Sequence, residues 1–318
     1  MSIPDAKFQC VEGKPPGSFK RDYDISLFNS QTYQQLQKRS GWKSYHIVRK
    51  DKKIIRASVF FFVEAAKAKS PLRAPFGSFE LSDKITTQEL YDFVSFIEKK
   101  LKDQGVRQVS IKNYPQHYHS RHHSLISVVL FNQGYKIVNA ELGACIEVDE
   151  KSLVTKMDSW EKRKLNQCIK EGLTFSCLDA NNLKQVYDFI LECRQAKGYA
   201  LSMSWEELHN TVKNLKDSFK LFGVFLKDEL VAASISIRVN NRVLYNFYSA
   251  HHHRYDGISP VVFLINSMYS WCNDHKIKLL DLGTSAMGGI PNFPLIDFKL
   301  RLGAEPAMKL TFEKRLKP

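Results

Sequence analysis

The sequence lacks the patterns that define several protein classes. Its six cysteines form no CxxC pair and have no regular spacing, so neither a disulfide framework nor a zinc ribbon is expected. The longest apolar run, residues 57–66, is interrupted by Glu64 and falls well short of the roughly 20 residues that a membrane-spanning helix needs. The first ten residues show no basic start followed by an apolar stretch, which a secretory signal would have. We therefore expect a cytoplasmic protein whose cysteines are reduced, without a transmembrane segment.

What the sequence does contain is enough apolar material for two cores. Its 318 residues are 43% apolar and 12% aromatic, which suits two domains of about 150 residues each. The net charge is +14, a surplus that attracts phosphorylated cofactors, nucleotide-linked substrates, tRNA or acidic membrane surfaces. An ordinary basic, well-solvated surface would carry the same charge, so the charge restricts the hypotheses without choosing among them.

The same order of elements is predicted twice along the chain: three strands, a loop, a helix, a strand, a helix and a strand. In the first half, Thr86 and Glu89 form a capping-box pattern ahead of an amphipathic helix that ends near Gly105. In the second half, Asp158 is expected to cap a helix running to Gly172, and Ser204 with Glu207 forms a further capping-box pattern. The charged stretch at 149–151 separates the halves, so we predict domains 1–150 and 151–318. The fold class is mixed α/β (α+β), each half being a mixed, mostly antiparallel sheet flanked by helices.

The segment that carries chemistry is residues 245–260, YNFYSAHHHRYDGISP. A strand ends near Ala250 and a helix is predicted to begin at Pro260, with Ser259 able to cap it. Unpaired N–H groups at a helix N-terminus bind phosphate. Gly257 would let the backbone approach that anion, and Arg254 would pair with phosphate oxygens.

This Arg-x-x-Gly-x-Ser loop resembles the donor loop of the GCN5-related N-acetyltransferase (GNAT) superfamily, which holds the pyrophosphate of coenzyme A. The resemblance implies that Arg254, Gly257, Ile258 and Ser259 bind the cofactor. The basic stretch 163–173 is similar to the helix that opens the second half of Fem-type peptidoglycan aminoacyltransferases. Further similar motifs are Asp281-Leu282-Gly283, Pro291-Asn292, Phe298-Lys299 with Gly303, and residues 70–77 in the first half. The resemblance spans nearly the whole chain and implies two tandem acetyltransferase-like domains.

Acyl transfer to an amine needs a polarised carbonyl and routes for protons. Lys299 is the candidate for stabilising the oxyanion or holding an acidic group of the substrate, and Tyr255 is the candidate proton donor. Asp256 is the candidate acceptor of the amine proton. Substrate contacts are assigned to Tyr248, Arg73 and Asn292. Since no Cys or Ser occupies a nucleophile setting, direct attack without a covalent enzyme intermediate is expected.

The histidines, tryptophans and basic helix receive plainer interpretations. Adjacent residues of the triplet 251–253 point alternately and have no suitably spaced partner, so no metal is expected. A solvent-exposed loop is the first expectation for the triplet, and a general base or a phosphate contact is the alternative. The histidines at 117, 119, 122 and 123 are expected on a surface loop. All four tryptophans are expected to anchor a core or an interface. Arg163, Lys164 and Lys170 share one helix and would form a basic rim for phosphate or nucleic acid, or a solvated face.

The function expected from these features is an acyltransferase that moves an acyl group from acyl-coenzyme A (acetyl-coenzyme A) to an amine. The acceptor would be an amino sugar or an amino-acid-like molecule, small or linked to a nucleotide. One alternative is a Fem-type enzyme that uses aminoacyl-tRNA and a peptidoglycan precursor, with tRNA as a partner. Another is a non-catalytic acetyltransferase-like binding protein.

Overall fold

A computed structural model describes residues 8–38, 40–287 and 290–316, which form two compact units. The first unit runs to Glu141 and takes up the chain again from Met308, and the second unit is Leu142–Ala307. The sequence predicts a domain boundary near residue 150 and assigns the C-terminal residues to the second domain. The difference at the chain end has a direct cause, because residues 311–315 pair antiparallel with residues 108–112 of the first unit.

The first unit is built on one mixed, mostly antiparallel sheet. Its strand order is β1-β3-β4-β5-β7-β16, and within this order only the β5–β7 pairing is parallel. Two short strands also pair with β4, β2 in parallel and β6 antiparallel. Its elements are β1 (Phe8–Glu12), β2 (Lys20–Arg21), α1 (Gln31–Gln37), β3 (Trp42–Arg49), β4 (Ile54–Glu64), β5 (Lys67–Ser70), β6 (Glu80–Leu81), α2 (Thr87–Asp103), β7 (Gln108–Lys112), α3 (Ser120–Asn132) and the end of β16 (Glu305–Arg315).

Short-range sequence patterns in the first unit form the structures that they predict, with one exception. Thr86 and Glu89 form both hydrogen bonds of the capping box at the start of α2. The histidines expected on a surface loop do not all lie there: His122 and His123 are buried in α3. They occupy the helix face that also carries Ile126, and burial lowers the pKa of each to about 4, so both are neutral.

The second unit repeats the plan with a larger set of helices. Its strand order is β8-β13-β12-β11-β10-β9, and only β12 and β13 run parallel. Its elements are β8 (Lys136–Glu147, which begins in the first unit), α4 (Ser159–Lys170), β9 (Leu173–Leu178), α5 (Leu183–Gln195), α6 (Trp205–Asn214), β10 (Phe219–Leu226), β11 (Glu229–Arg238), β12 (Val243–His251), α7 (Pro260–Asp274), β13 (Leu279–Thr284), β14 (Ala286–Met287), β15 (Ile290–Pro291) and α8 (Phe293–Arg301). The predicted fold class, with mixed, mostly antiparallel sheets flanked by helices, is confirmed.

Two helices of the second unit, α4 and α6, begin where the sequence predicts. The Asp158 carboxylate accepts a hydrogen bond from the Glu161 N–H at 2.9 Å and caps α4. Ser204 and Glu207 form a complete capping box on α6. A core of fully buried side chains on β10, β11, β12 and α7 fixes the helices to the sheet: Phe222, Val231, Leu244, Leu264 and Met268.

Two irregularities of β12 open the sheet. The parallel pairing of β12 with β13 covers only Val243–Tyr245, yet β12 continues to His251. In the pairing of β12 with β11 the register shifts, so that Phe247 is an extra, bulged residue. The bulge brings consecutive rings to the same side, since Phe247 and Tyr248 stack with centroids 3.9 Å apart. The two parallel strands therefore diverge beyond Tyr245.

Candidate active site

A cavity of about 1070 Å³ lies in the second unit where β12 and β13 diverge. One wall is the diverging part of β12, residues 245–251, and the opposite wall is residues 282–284 with α8. The end of α5 with the loop 197–202 and the start of α7 complete the lining. The volume is at the upper end of what small-ligand sites have, so an extended ligand fits.

Lys299 of α8 is a buried cation on the wall of this cavity. Its ammonium donates to the carbonyl oxygens of Gly283 at 2.9 Å and Thr284 at 3.2 Å. Burial lowers its pKa to about 8, against the opposing effect of the Asp281 carboxylate. Lys299 is therefore still mostly protonated at neutral pH, with two of its three N–H donors held by backbone oxygens.

The Asp-Leu-Gly pattern at the end of β13 is what presents those oxygens. Gly283 has a φ of +76°, a conformation that other residues adopt only with strain. Its N–H donates to the Asp281 carboxylate at 2.7 Å, which holds the turn. A Cβ at Gly283 would meet the Tyr245 ring at 3.2 Å, so the position requires glycine on two counts.

His251 and Asp256 form a pair at the other side of the cavity. His251 Nε2 lies 2.6 Å from Asp256 Oδ1, and both residues line the cavity. Burial lowers the pKa of His251, although the carboxylate opposes the shift. The neutral imidazole that results can donate its Nε2 proton to Asp256 and retain a lone pair on Nδ1, as a general base oriented by a carboxylate does.

Arg194, at the end of α5, adds a second cation that the sequence reasoning missed. Its guanidinium lies over the ring of Tyr248 at 5.5 Å, and burial lowers its pKa. Tyr248 is held in turn by a 2.6 Å hydrogen bond with Ser202 and by the Met203 N–H at 3.0 Å. Among the described residues no carboxylate pairs with Arg194, and Asp256, already paired with His251, is the sole carboxylate of the lining. A half-buried cation placed this way favours an anionic ligand.

The predicted donor loop leads from β12 into α7. Arg254 pairs with Glu229 at 2.8 Å while 63% of its side chain is exposed, and the Tyr255 hydroxyl donates to the other oxygen of Glu229 at 2.8 Å. A Cβ at Gly257 would meet no atom within 4 Å, so open space lies over this part of the loop. The Lys164 ammonium of α4 donates to the Gly257 carbonyl at 2.5 Å.

Ser259 precedes Pro260 at the N-cap of α7, but its hydroxyl does not cap the helix. Its φ of 55° is left-handed, and the hydroxyl donates instead to the Asp256 carbonyl at 3.3 Å. The expected side-chain cap is therefore wrong. Pro260 has no N–H, and the Val262 N–H donates to the Ser259 carbonyl at 2.9 Å. An anion at the start of α7 would therefore rely mainly on the Val261 N–H and on the positive end of the helix dipole.

The structure brings together some of the predicted site residues and not others. Five of the predicted residues line the cavity: Lys299, Asp256, Ser259, Tyr248 and Asn292. Asn292 also caps α8, since its side-chain oxygen accepts from the Leu295 N–H at 3.2 Å. Four others lie in the adjoining loop and do not line the cavity: Arg254, Tyr255, Gly257 and Ile258. Of these, Ile258 packs against the core. Arg73 belongs to the first unit, where its backbone N–H donates to the Gln37 side chain at 2.6 Å.

Trp160 corrects the expectation that every tryptophan anchors a core or an interface. It lies on α4, whose buried positions are Glu161, Leu165 and Cys168. Trp160 falls outside that stripe and is 54% exposed. Arg163 and Lys164, from the predicted basic rim, lie against its ring at 5.3 and 5.7 Å.

One group in the first unit has the composition of a metal site. Asp83, His119 and His122 bring three ligand atoms within 4.8 Å of one another. The two imidazoles, however, stack face to face with centroids 3.4 Å apart and planes 2° apart. Metal ligation uses in-plane lone pairs, and those of parallel stacked rings do not converge on one ion. His119 Nε2 hydrogen-bonds the Asp83 carboxylate at 2.8 Å, and His122 Nε2 lies 3.3 Å from the same oxygen without a hydrogen bond to it.

Comparison with known proteins agrees with this geometry. Residues 158–299 match the family model described as an acetyltransferase (GNAT) domain. This stretch runs from the start of α4 to Lys299 of α8 and includes most of the cavity lining, so the second unit is similar to a GNAT acetyltransferase domain. At the level of sequence, no curated protein matches the chain.

The arrangement of the whole chain is that of a tandem, Fem-like fold. The structure titled "Crystal structure of FemX" is similar with a TM-score of 0.71 at 12% identity, over 93% of this chain and 94% of that one. A conserved protein of unknown function from Bacteroides thetaiotaomicron has a TM-score of 0.57 at 10% identity, covering 94% and 95%. L-PGS from Bacillus licheniformis has a TM-score of 0.53 at 13% identity, covering 85% and 84%. Among the described residues, no helix combines the length and apolar character needed to cross a bilayer.

Proposed function

We propose that this protein transfers an acyl group from acyl-coenzyme A to the amine of an anionic, amino-acid-like or nucleotide-linked acceptor. The observation that carries the proposal is the cavity at the divergence of β12 and β13, with a phosphate-type loop beside it and Lys299 in its wall. The backbone of β12 beyond Tyr245 is unpaired on the side facing β13. An extended chain such as pantetheine can pair with such an exposed strand edge.

Donor phosphates are assigned to the loop 254–259 and to the start of α7. Arg254 would exchange Glu229 for a phosphate, which its exposed side chain permits. Gly257 has open space above its Cα, and Ser259 leaves the helix N-terminus uncapped by its side chain. Ile258 supports the loop from the core side.

The chemistry assigned to the cavity is direct attack of the amine on the thioester carbonyl. His251, oriented by Asp256, takes the proton that the nitrogen must lose. The Lys299 ammonium stabilises the oxyanion of the tetrahedral intermediate. When the C–S bond breaks, the thiolate receives a proton from the His251 imidazolium, so no proton is left over. Tyr255 remains the sequence-based candidate for that last step, and comparing Tyr255→Phe with His251→Asn decides between them.

The acceptor is assigned from the charge of the lining. Arg194, Lys197 and Lys299 line the cavity, and its one carboxylate is engaged with His251. The guanidinium of Arg194 would pair with a carboxylate or phosphate of the acceptor. Tyr248 and Asn292 would supply further contacts, and Arg73 stays a prediction for the same role.

The test is a calorimetric titration of the wild type, Arg254→Ala and the control Arg242→Ala with coenzyme A and acetyl-coenzyme A. Arg242 is an exposed arginine of the same unit outside the cavity lining. We expect binding to wild type and control, and a loss of about tenfold or more in Arg254→Ala, as for a charge-assisted phosphate contact. Binding that survives unchanged in Arg254→Ala would remove the loop from the proposal.

A second candidate is aminoacyl transfer from tRNA, as in the Fem-type enzymes that the sequence resembles. The observation in its favour is the exposed basic face of α4 next to the donor loop. Binding to tRNA would weaken steeply with salt, because it releases many counterions. If the wild type binds neither coenzyme A nor charged tRNA, the non-catalytic interpretation replaces both.

A further inference from the structure

The exposed face of α4 combines an aromatic ring with two cations. Trp160 is 54% exposed although Arg163 and Lys164 both lie against its ring. Among the described residues, no carboxylate pairs with either cation. The nearest acid in the sequence, Glu161, is buried and pairs with Arg301 at 2.9 Å. This face is therefore an open indole surface with positive charge that is not neutralised.

The position of this face ties it to the donor loop. The Lys164 ammonium donates to the Gly257 carbonyl at 2.5 Å, so a single side chain spans the distance between the Trp160 ring and the loop. The thiol of Cys168 donates to the Ile258 carbonyl at 3.0 Å and fixes the same helix to the next residue of the loop. A ligand whose phosphates lie on the loop would extend naturally over Trp160.

An aromatic ring flanked by a guanidinium and an ammonium suits one kind of chemical group well. A flat base stacks on the indole, and phosphates attached to the same nucleoside pair with the cations. An exposed tryptophan adds little to the core, so its ring is free to stack against a ligand.

We propose that Trp160, Arg163 and Lys164 form a subsite for the adenosine 5′-phosphate end of the acyl donor. The proposal rests on the proposed function, because it extends the same donor site. Acyl-coenzyme A carries this adenosine group at the end remote from its thioester, so its pantetheine arm can extend into the cavity. In aminoacyl-tRNA the acyl group is on the ribose of the terminal adenosine itself, so a subsite outside the cavity lining suits coenzyme A. Trp160 stacks on the adenine, while Arg163 and Lys164 pair with its phosphates.

The variants that test this are Trp160→Ala, Trp160→Phe and Arg163→Ala, with Ile169→Ala as the matched control. Ile169 is an equally exposed apolar residue on the same helix, at 57%. Since the three side chains that are changed are all exposed, we expect all four variants to keep the wild-type melting temperature. The ligands are coenzyme A, adenosine 3′,5′-bisphosphate and pantetheine, which lacks the nucleotide.

We expect Trp160→Ala to weaken binding of coenzyme A and the bisphosphate by about tenfold or more, the usual effect of removing a stacking ring. Trp160→Phe should retain most of the affinity, Arg163→Ala should lose severalfold, and pantetheine should bind all variants alike. Quenching of Trp160 fluorescence by the bisphosphate gives an independent readout. Equal binding of coenzyme A by wild type and Trp160→Ala would overturn the subsite.

A parallel arm uses short RNA hairpins that end in CCA or in CCC. If the hairpin ending in adenosine is preferred and the preference needs Trp160, the subsite binds the terminal adenosine of tRNA and the assignment to coenzyme A is overturned. If neither ligand class depends on Trp160, the subsite falls whichever donor is used. Arg254→Ala separates the two proposals: loss of binding there but not in Trp160→Ala leaves the proposed function and removes only the subsite.

Discussion

Lys299 shows how burial can tune a single side chain for catalysis. Its ammonium is desolvated but held by two backbone carbonyls, and its pKa falls to about 8. We expect Lys299→Met to lower kcat/KM by roughly 10²–10³-fold, the usual cost of losing an oxyanion donor. The rate of thiol release from acetyl-coenzyme A with the acceptor measures this.

The melting temperature of the same variant separates catalysis from folding. Because burial disfavours the charged form, removing the charge should leave the melting temperature unchanged or raise it. A large drop would instead assign Lys299 to holding the turn at Gly283.

The pH dependence of the rate follows from the two titrating residues that face the cavity. As pH rises through about 8, Lys299 loses its proton and the rate should fall. As pH decreases, His251 gains a proton and ceases to be a base, but only below the ordinary histidine range, because burial lowers its pKa. A bell-shaped profile of kcat/KM with these two limbs is the expected result.

Asp256→Asn tests the origin of the acidic limb. Asp256 opposes the effect of burial on His251, so its removal should move the acidic limb to still lower pH while the plateau rate falls. An unchanged limb and rate would show that the pair takes no part in the reaction.

At the scale of elements, Gly283 in the cavity wall and Gly257 in the adjoining loop differ in what an added side chain would meet. Gly283 is strained by a φ of +76° and close to Tyr245, whereas Gly257 has open space and no positive φ. We expect Gly283→Ala to reduce the free energy of unfolding by roughly 1–2 kcal/mol. Gly257→Ala should leave stability unchanged and weaken coenzyme A binding, because the new methyl group occupies the space left for the phosphates. Thermal melts and titrations of both variants check this.

How much of the fold and site can be predicted depends on whether a signal is local. The Asp158 cap and the two capping boxes act over three residues, and each forms as predicted. The prediction for Trp160 was wrong because its exposure depends on which side of α4 faces the core. Glu161, although charged, takes the buried position through its pair with Arg301, and Trp160 is exposed. The contact of Arg194 with Tyr248 joins residues 54 positions apart, and nothing local to either residue indicates it.

At the scale of the whole molecule, the net charge of +14 predicts different salt responses for the two donors. Coenzyme A presents few phosphates, so its dissociation constant should rise only modestly between low and physiological salt. A tRNA contacts many cations, and its affinity should fall by orders of magnitude over the same range. Titrations at several salt concentrations distinguish the two donors. A steep dependence of the coenzyme A affinity on salt would contradict the small number of phosphate contacts assigned to coenzyme A.

The strand formed by residues 311–315 bears on how the protein is made. It pairs with residues 108–112 and belongs to the first unit, but the ribosome reaches it only after synthesising all of Leu142–Ala307. The sheet of the first unit therefore stays open at β7 throughout the synthesis of the second unit. During that interval the exposed edge of β7 is where a chaperone would bind or a wrong strand would add.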